Sequence, residues 1–336
     1  MKKNRTGLLI FLILLILLII TGVLFLLNFD KTQNSPKIDL RINSSPFQFS
    51  FSKDSSMTPT FSEYIAILYI EGTITEKTKT YDHKKFIQTV KNLQTDTKNV
   101  GIMLFIDSPG GTVYHSDEIY LTLKNYSKTN KPVWAYLGSM AASGGYYIAC
   151  AADKIIANRN CLTGSIGVIA GQSVDITGFL EKHGIKMTTI TAGKNKNMLN
   201  IDSPVTDEQK AIMQSIADEA YEQFTGIIAA SRGLTIAQTK KLADGRIFTA
   251  NQALKNKLID ATDSFENTID KFTEELSENL SKKVKVKHIE NKSKNNIADF
   301  FMEKIQNIIP KNELENVVNM FALPDNLDFP AYYYAK

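Results

Sequence analysis

A long uncharged segment near the start of the chain restricts its organisation more than any other feature. Residues 7–27 are almost wholly apolar and carry no charge. At about 1.5 Å per residue, a helix of this length is roughly 30 Å long, which matches the hydrocarbon core of a bilayer. Three basic residues precede the segment, so the positive-inside rule predicts a cytoplasmic N-terminus and an extracytoplasmic remainder. The alternative is a cleaved signal peptide, which has a shorter apolar core and a small-residue cleavage site. No alanine occurs before Ala66, so we expect residues 1–28 to be an uncleaved transmembrane anchor.

The composition narrows the classes of function. A chain of 336 residues with 43% hydrophobic residues has room for one large domain and appendages. Its net charge of +4 is small and dispersed, so we expect no nucleic-acid partner. Two cysteines and four histidines are too few for a four-cysteine zinc site or a multi-histidine centre, and we expect neither a metal nor a cofactor. Cys150 and Cys161 could pair in an oxidising compartment, but we expect two small buried thiols.

Changes in amino-acid composition divide residues 29–336 into three parts. Residues 29–60 are rich in Ser, Asn, Thr and Lys and contain three prolines, which predicts a tether. Residues 61–282 have the apolar patterns of a globular domain, and residues 283–336 form a tail. The valine–lysine alternation at 282–287 is typical of a solvated edge strand.

Apolar runs and helical spacings alternate through the globular part. The predicted buried strands are residues 65–70, 100–106, 132–137, 154–157 and 166–169. The predicted helices are residues 83–98, 115–128, 143–152, 206–231 and 250–256. This alternation predicts an α/β fold of repeated βα units around a largely parallel sheet. Sites in such folds gather at the carboxyl ends of the strands, where the glycine-rich segments 107–111 and 138–145 lie.

Ser143 is the candidate nucleophile within the second of these segments. It lies among small residues at a predicted turn from a strand into a helix, where unpaired N–H groups favour an oxyanion. Gly144 lets the backbone approach a reacting carbonyl and offers it an N–H group. An ordinary N-cap serine beside helix-packing glycines explains the same residues equally well.

The residues alone leave the general base open. A Ser-His-Asp arrangement needs a histidine within reach, and none of the four histidines has a distinctive context. A lysine that burial keeps neutral can act instead, but composition cannot choose one among so many.

Four ordered motifs over residues 61–275 resemble signal peptide peptidase A, a family of membrane-anchored Ser/Lys peptidases with a Clp-protease/crotonase-type fold. The motifs are SMAASGGYY at 139–147, LTGSIGV at 162–168, GKNK at 193–196 and DGRIFT at 244–249. The closing PAYYY at 330–334 is also similar to the family's usual C-terminus.

The resemblance implies a role for each matching residue. Ser143 would be the nucleophile and Lys196 the general base, with Ser165 orienting the lysine. Gly111 and Gly144 would supply the oxyanion-hole N–H groups. Lys194, two residues before Lys196, offers a second ammonium group. The resemblance also implies a homo-oligomeric ring in which nucleophile and lysine come from neighbouring protomers.

The expected function is therefore hydrolysis of hydrophobic peptides, such as cleaved signal peptides, outside the cytoplasm and beside the membrane lipid. A crotonase-like acyl-CoA enzyme is one alternative, because that fold also holds an enolate on paired glycine N–H groups. A catalytically inactive membrane scaffold of the same fold is the other.

Overall fold

The computed structural model describes residues 62–290 and the backbone of residues 331–333. The strands are β1 Tyr64–Glu71, β2 Asn99–Ser108, β3 Gly110–Thr112, β4 Val133–Ala142, β5 Lys154–Ala157, β6 Leu162–Gly164, β7 Ile247–Thr249, β8 Ala261–Thr262, β9 Lys285–Ile289 and β10 Ala331–Tyr333. The helices are α1 His83–Thr95, α2 Val113–Ser127, α3 Gly144–Ala149, α4 Thr177–Lys182, α5 Asp207–Arg232, α6 Ile236–Leu242, α7 Ala250–Lys255 and α8 Phe265–Leu280.

The main sheet is largely parallel, as the sequence predicts. Its order is β7-β6-β4-β2-β1-β9, and β5 pairs with both β4 and β8. Only the β6–β7 pair is antiparallel among the strand pairs of this sheet within residues 62–290. A separate antiparallel pair joins β3 to β10. The α/β class is thus confirmed.

Alternate residues of the central strands enter two cores, one on each face of the sheet. On β4, Val133 and Leu137 belong to the core covered by α1, α2, α3 and α5. Trp134 and Tyr136 belong to the core covered by α8, where Trp134 stacks on Phe272 with 4.6 Å between ring centroids. Strands with both faces buried need apolar side chains at nearly every position, which explains the continuous apolar runs of the sequence.

Short polar motifs fix where the helices begin. The Asp82 side chain accepts the Lys85 N–H at 3.0 Å and starts α1. Thr206 and Gln209 form a reciprocal capping box at the start of α5, as the sequence indicates. Each cap pairs a backbone N–H that has no partner within its helix.

Most predicted elements are confirmed, and one strand is wrong. Residues 166–169 form no strand, because the chain leaves the sheet after β6: Ile166 is buried in the core, whereas Ile169 is exposed and makes only an isolated β-bridge. The edge strand predicted at 282–287 is present as β9, which pairs with β1 alone among the described strands.

The predicted anchor at 1–28, the tether at 29–60 and most of the tail at 283–336 lie outside the described residues. Among the helices that are described, none has the length and apolar character needed to span a bilayer.

Candidate active site

Three adjacent parallel strands bring Gly111, Ser143 and Ser165 to one edge of the sheet. β2, β4 and β6 are neighbours, and each is followed closely by one of them. Gly111 comes three residues after the end of β2, Ser143 directly follows β4, and Ser165 directly follows β6. Carboxyl ends of parallel strands form the usual binding edge of such sheets. The glycine-rich segments 107–111 and 138–145 lie at this edge, where the sequence analysis expects them.

Ser143 has a backbone conformation that non-glycine residues rarely adopt. Its φ is 52° and its ψ −118°, at the junction of β4 and α3. Two backbone hydrogen bonds hold it there: Ser143 N–H donates to the Gly164 carbonyl at 2.8 Å, and the Ser143 carbonyl accepts from Tyr147 N–H at 2.9 Å. Strained backbone of this kind is concentrated at functional sites.

The Ser143 side chain is not a helix N-cap. It makes no capping hydrogen bond to α3, and its hydroxyl is buried without a partner among the described residues. A partnerless buried hydroxyl is costly and calls for an explanation. The geometry therefore favours the nucleophile over the alternative of an ordinary N-cap serine.

Gly111 and Gly144 lie against each other beside Ser143. A Cβ added to Gly144 would lie 3.2 Å from the Gly111 nitrogen, so no side chain separates the two backbones. The Gly110 carbonyl accepts from Ile74 N–H and Thr112 N–H donates to the Ile74 carbonyl, each at 2.9 Å. Because peptide groups alternate in direction along a strand, the Gly111 N–H points to the opposite side.

β10 pairs with β3 on the side that faces away from Ile74. Tyr332 lies opposite Gly111 in the antiparallel register. Since Gly110 and Thr112 use their groups on Ile74, the ladder to β10 runs through the Gly111 N–H and carbonyl. An extended segment of backbone can thus reach the N–H predicted for the oxyanion hole.

Asp107 fastens the end of β2 to β4 just before the site. The Ser139 hydroxyl donates to both Asp107 carboxylate oxygens, at 2.7 and 2.9 Å, and the Met140 N–H donates at 3.1 Å. The register of β2 on β4 shifts between Ile106 and Ser108, beside this contact. The sequence predicts the turn at 107–111 from its glycines and proline. Nothing in the sequence indicates the hydrogen bonds that link Asp107 to β4.

None of the histidines hydrogen-bonds Ser143 in the described part of the chain. His83 lies between the Tyr81 hydroxyl at 2.9 Å and Glu118 at 2.7 Å, and His115 bonds the Thr112 hydroxyl at 2.6 Å. A Ser-His pair within one copy of the chain therefore has no support.

Lys196 is exposed on a turn, where its N–H donates to the Gly193 carbonyl at 3.1 Å. It makes no hydrogen bond to Ser143 within one copy, because the Ser143 hydroxyl has no partner among the described residues. Lys194, by contrast, forms an ion pair with Glu208, which also accepts from the Asn195 side chain at 3.0 Å. This contact engages the Lys194 ammonium group at the surface.

Ser165 is buried beside the Ser143 backbone. Its φ is 49°, and its N–H donates to the Arg246 carbonyl at 2.8 Å. The preceding residue, Gly164, is the one whose carbonyl holds Ser143. The structure thus brings Ser165 close to Ser143 in space, whereas Lys196 lies on a separate surface turn.

The two cysteines are free and buried, as expected. Burial raises the pKa of both the Cys150 and the Cys161 thiol to about 12. No group of three or more metal-ligating side chains suited to an ion occurs in the described ranges.

A buried serine at a strand–helix turn, beside paired glycine backbones on an α/β sheet, defines a site of the serine-hydrolase class. The sequence profile of peptidase family S49 matches residues 125–279, a range that contains Ser143, Ser165 and Lys196.

Two similar proteins indicate which family of serine hydrolases this chain belongs to. A candidate signal peptide peptidase SppA of Enterococcus faecium is 35% identical over 195 residues, 58% of this chain and 56% of that protein. A candidate protease of Synechocystis sp. is 39% identical over 196 residues, 58% of this chain and 68% of that protein. The match thus spans little more than half of the first relative's length. The chain belongs to peptidase family S49, the serine peptidases of the signal peptide peptidase A type.

Among solved structures, a point mutant of ClpP1 from Listeria monocytogenes matches 60% of this chain and 92% of its own. The TM-score is 0.41 and the identity 18%, a likeness too weak to refine the fold beyond the α/β class.

Proposed function

We propose that this chain is a membrane-tethered endopeptidase in which Ser143 is the nucleophile and Lys196 of a neighbouring copy is the general base. The observation that carries the proposal is the buried, partnerless Ser143 hydroxyl beside Gly111 and Gly144. A nucleophile needs a base within hydrogen-bond reach. Lys196 makes no hydrogen bond to this hydroxyl within one copy, and its side chain is exposed.

The reaction follows from these groups. The uncharged Lys196 amine takes the proton of the Ser143 hydroxyl as the oxygen attacks the peptide carbonyl. The carbonyl π electrons become an oxyanion, which accepts hydrogen bonds from the Gly111 and Gly144 N–H groups. When the tetrahedral intermediate collapses, the C–N bond breaks and the lysine ammonium returns the proton to the leaving amine. Water, deprotonated by the same amine, then attacks the acyl-enzyme, and the Ser143 oxygen leaves with that proton.

Ser165 is proposed to orient the incoming lysine. It is buried next to the Ser143 backbone and is held at a positive φ by its bond to Arg246. Its position after β6 lies beside the nucleophile, where a hydroxyl can bond an amine that approaches from outside the subunit.

The substrate is proposed to bind as an extended strand. The antiparallel pairing of β10 with β3 supports this, because it places an extended backbone along the Gly111 N–H and carbonyl. Ladder bonds of this kind provide affinity without sequence specificity. Together with the predicted anchor, this favours apolar peptides near the bilayer, such as signal peptide remnants, and a catalytic domain outside the cytoplasm.

The ring-shaped homo-oligomer is proposed from the distribution of apolar surface around Lys196. Large exposed apolar side chains crowd the segment around it: Val174, Phe179, Ile185, Met187, Ile190 and Ile201. Exposed apolar patches mark interaction sites. A second copy of the chain that covers this surface would bring Lys196 to the next Ser143.

Co-expression of two inactive variants tests the shared site. Ser143→Ala and Lys196→Ala are each expected to abolish hydrolysis of a fluorogenic Ala/Leu peptide by the full-length chain. Mixed oligomers should regain about a quarter of the wild-type activity, because one interface in four then joins an intact serine to an intact lysine. Lys194→Ala is the matched control and should remain active.

Activity that survives in either single variant would exclude the dyad. Absence of any recovery in verified mixed oligomers would place both residues in one subunit. Membership of family S49 argues against the acyl-CoA alternative, and an inactive wild-type chain would favour the scaffold.

A further inference from the structure

Ser116 is a second buried hydroxyl that the proposed reaction does not use. It lies in the first turns of α2, its side chain is 0% exposed, and its oxygen has no hydrogen-bond partner among the described residues. A serine within a helix commonly donates to the carbonyl four residues earlier. Ser116 does not make this bond to Thr112.

The Ser116 oxygen lies at the glycine pair of the proposed oxyanion hole. A Cβ on Gly144 would lie 2.4 Å from the Ser116 oxygen and 3.2 Å from the Gly111 nitrogen. The Ser116 oxygen thus occupies the space that a side chain on Gly144 would fill, and the Gly111 nitrogen borders the same space. Ser143, which immediately precedes Gly144, also buries a hydroxyl without a partner in the described part of the chain.

Two partnerless hydroxyls around the same two glycines are difficult to explain by packing. An alanine at position 116 would fill nearly the same space without burying an unpaired polar group. Buried groups that lack partners in native structures are often held for a ligand or a reacting atom.

We propose that Ser116 is a third oxyanion donor. Its hydroxyl donates a hydrogen bond to the developing negative oxygen of the tetrahedral intermediate, alongside the Gly111 and Gly144 N–H groups. This extends the proposed function, on which it rests. The ligand class is the tetrahedral oxyanion of a peptide bond under attack by Ser143.

An oxyanion role gives Ser116→Ala an unusual combination of effects. Loss of an oxyanion donor should lower kcat about 100-fold, with KM within about twofold of wild type. Loss of a partnerless buried hydroxyl should leave the melting temperature unchanged or raise it. A purely structural serine predicts the opposite, namely a lower melting temperature and little change in kcat.

Thr273→Val is the matched control. Thr273 also buries a hydroxyl that has no partner within the described residues, but it lies on α8, which covers the opposite face of the sheet. The control should leave kcat unchanged.

A peptide aldehyde provides a second measurement, because its adduct with the nucleophile carries the tetrahedral oxygen. Its inhibition constant should rise in Ser116→Ala by about the same factor as kcat/KM falls. A wild-type kcat in Ser116→Ala, or a loss of kcat that only follows a loss of folded protein, would overturn the proposal. Hydrolysis that persists in Ser143→Ala would instead overturn the proposed function itself, so the two failures can be told apart.

Discussion

Gly111→Ala is the sharpest test of the glycine pair, because the structure fixes how far the backbone must move. The added Cβ would lie 1.9 Å from the Ile74 carbonyl oxygen and 2.5 Å from its carbon. Protein Cβ atoms are essentially never found closer than 3.0 Å to such atoms, so the Gly111 and Ile74 backbones must separate by at least 1.1 Å, the difference between 3.0 and 1.9 Å. No side-chain rotation relieves the clash, since both atoms belong to the backbone.

Where β3 takes up this displacement, the Gly111 N–H leaves hydrogen-bond range of the proposed oxyanion. Loss of one such donor costs about 10²–10³ in kcat, or about 3–4 kcal/mol of transition-state stabilisation. The overpacked contact should also lower the free energy of unfolding by about 1–3 kcal/mol. The measurements are kcat and KM on a fluorogenic peptide and the melting temperature of the purified full-length chain.

Gly226→Ala is the matched control, because a Cβ at that position of α5 meets nothing within 4 Å. It should leave activity unchanged and stabilise the helix by about 0.5–1 kcal/mol. A Gly111→Ala enzyme with kcat within about threefold of wild type would refute the role of Gly111 in the oxyanion hole.

Three further expectations follow from an ion pair, from the buried thiols and from the tail. Desolvation raises the pKa of Asp260, but the hydrogen bonds from Arg232 and the Ile155 backbone outweigh it and lower that pKa, so the stabilisation is present above about pH 4 and is lost as the pH falls below that. Because the Asp260 side chain is 41% exposed and solvent screens the pair, Asp260→Asn should cost at most about 1 kcal/mol at pH 7 and weaken the acid dependence of unfolding monitored by circular dichroism; an unchanged acid midpoint would contradict this. With a thiol pKa of about 12, Cys150 and Cys161 should resist iodoacetamide at pH 8 until the protein unfolds, and mass spectrometry that finds rapid native labelling would show the burial to be wrong. Deletion of residues 291–336 removes β10 from β3 and should lower KM for short peptides while kcat stays the same, because β10 and a bound peptide would occupy the same side of β3. An unchanged KM would mean that β10 and the peptide do not compete.

The sheet is predicted well from the sequence because its central strands are buried on both faces. Runs such as Ile65–Ile70 must be apolar throughout, and few other structures accommodate them. The segment at 166–169 has the same apolar character without a neighbouring strand to pair with. Local pattern alone cannot distinguish the two, since pairing is decided by the rest of the fold.

The site is only partly visible in the sequence. Ser143 and Gly144 stand out because a small-residue turn follows an apolar run. Ser116 has no such signal, because it is one polar residue in an ordinary helix and reaches Gly144 only through the packing of α2 on α3. Lys196 could be singled out only by resemblance to a family.

The backbone at Ser143 has a thermodynamic consequence. A φ of 52° with a ψ of −118° suits glycine and costs other residues about 1–3 kcal/mol. Ser143→Gly should therefore melt at a higher temperature than the natural protein while it turns over no peptide, and a lower melting temperature would count against the strain. The backbone strain at position 143 is then a stability cost that the proposed nucleophile imposes on the fold.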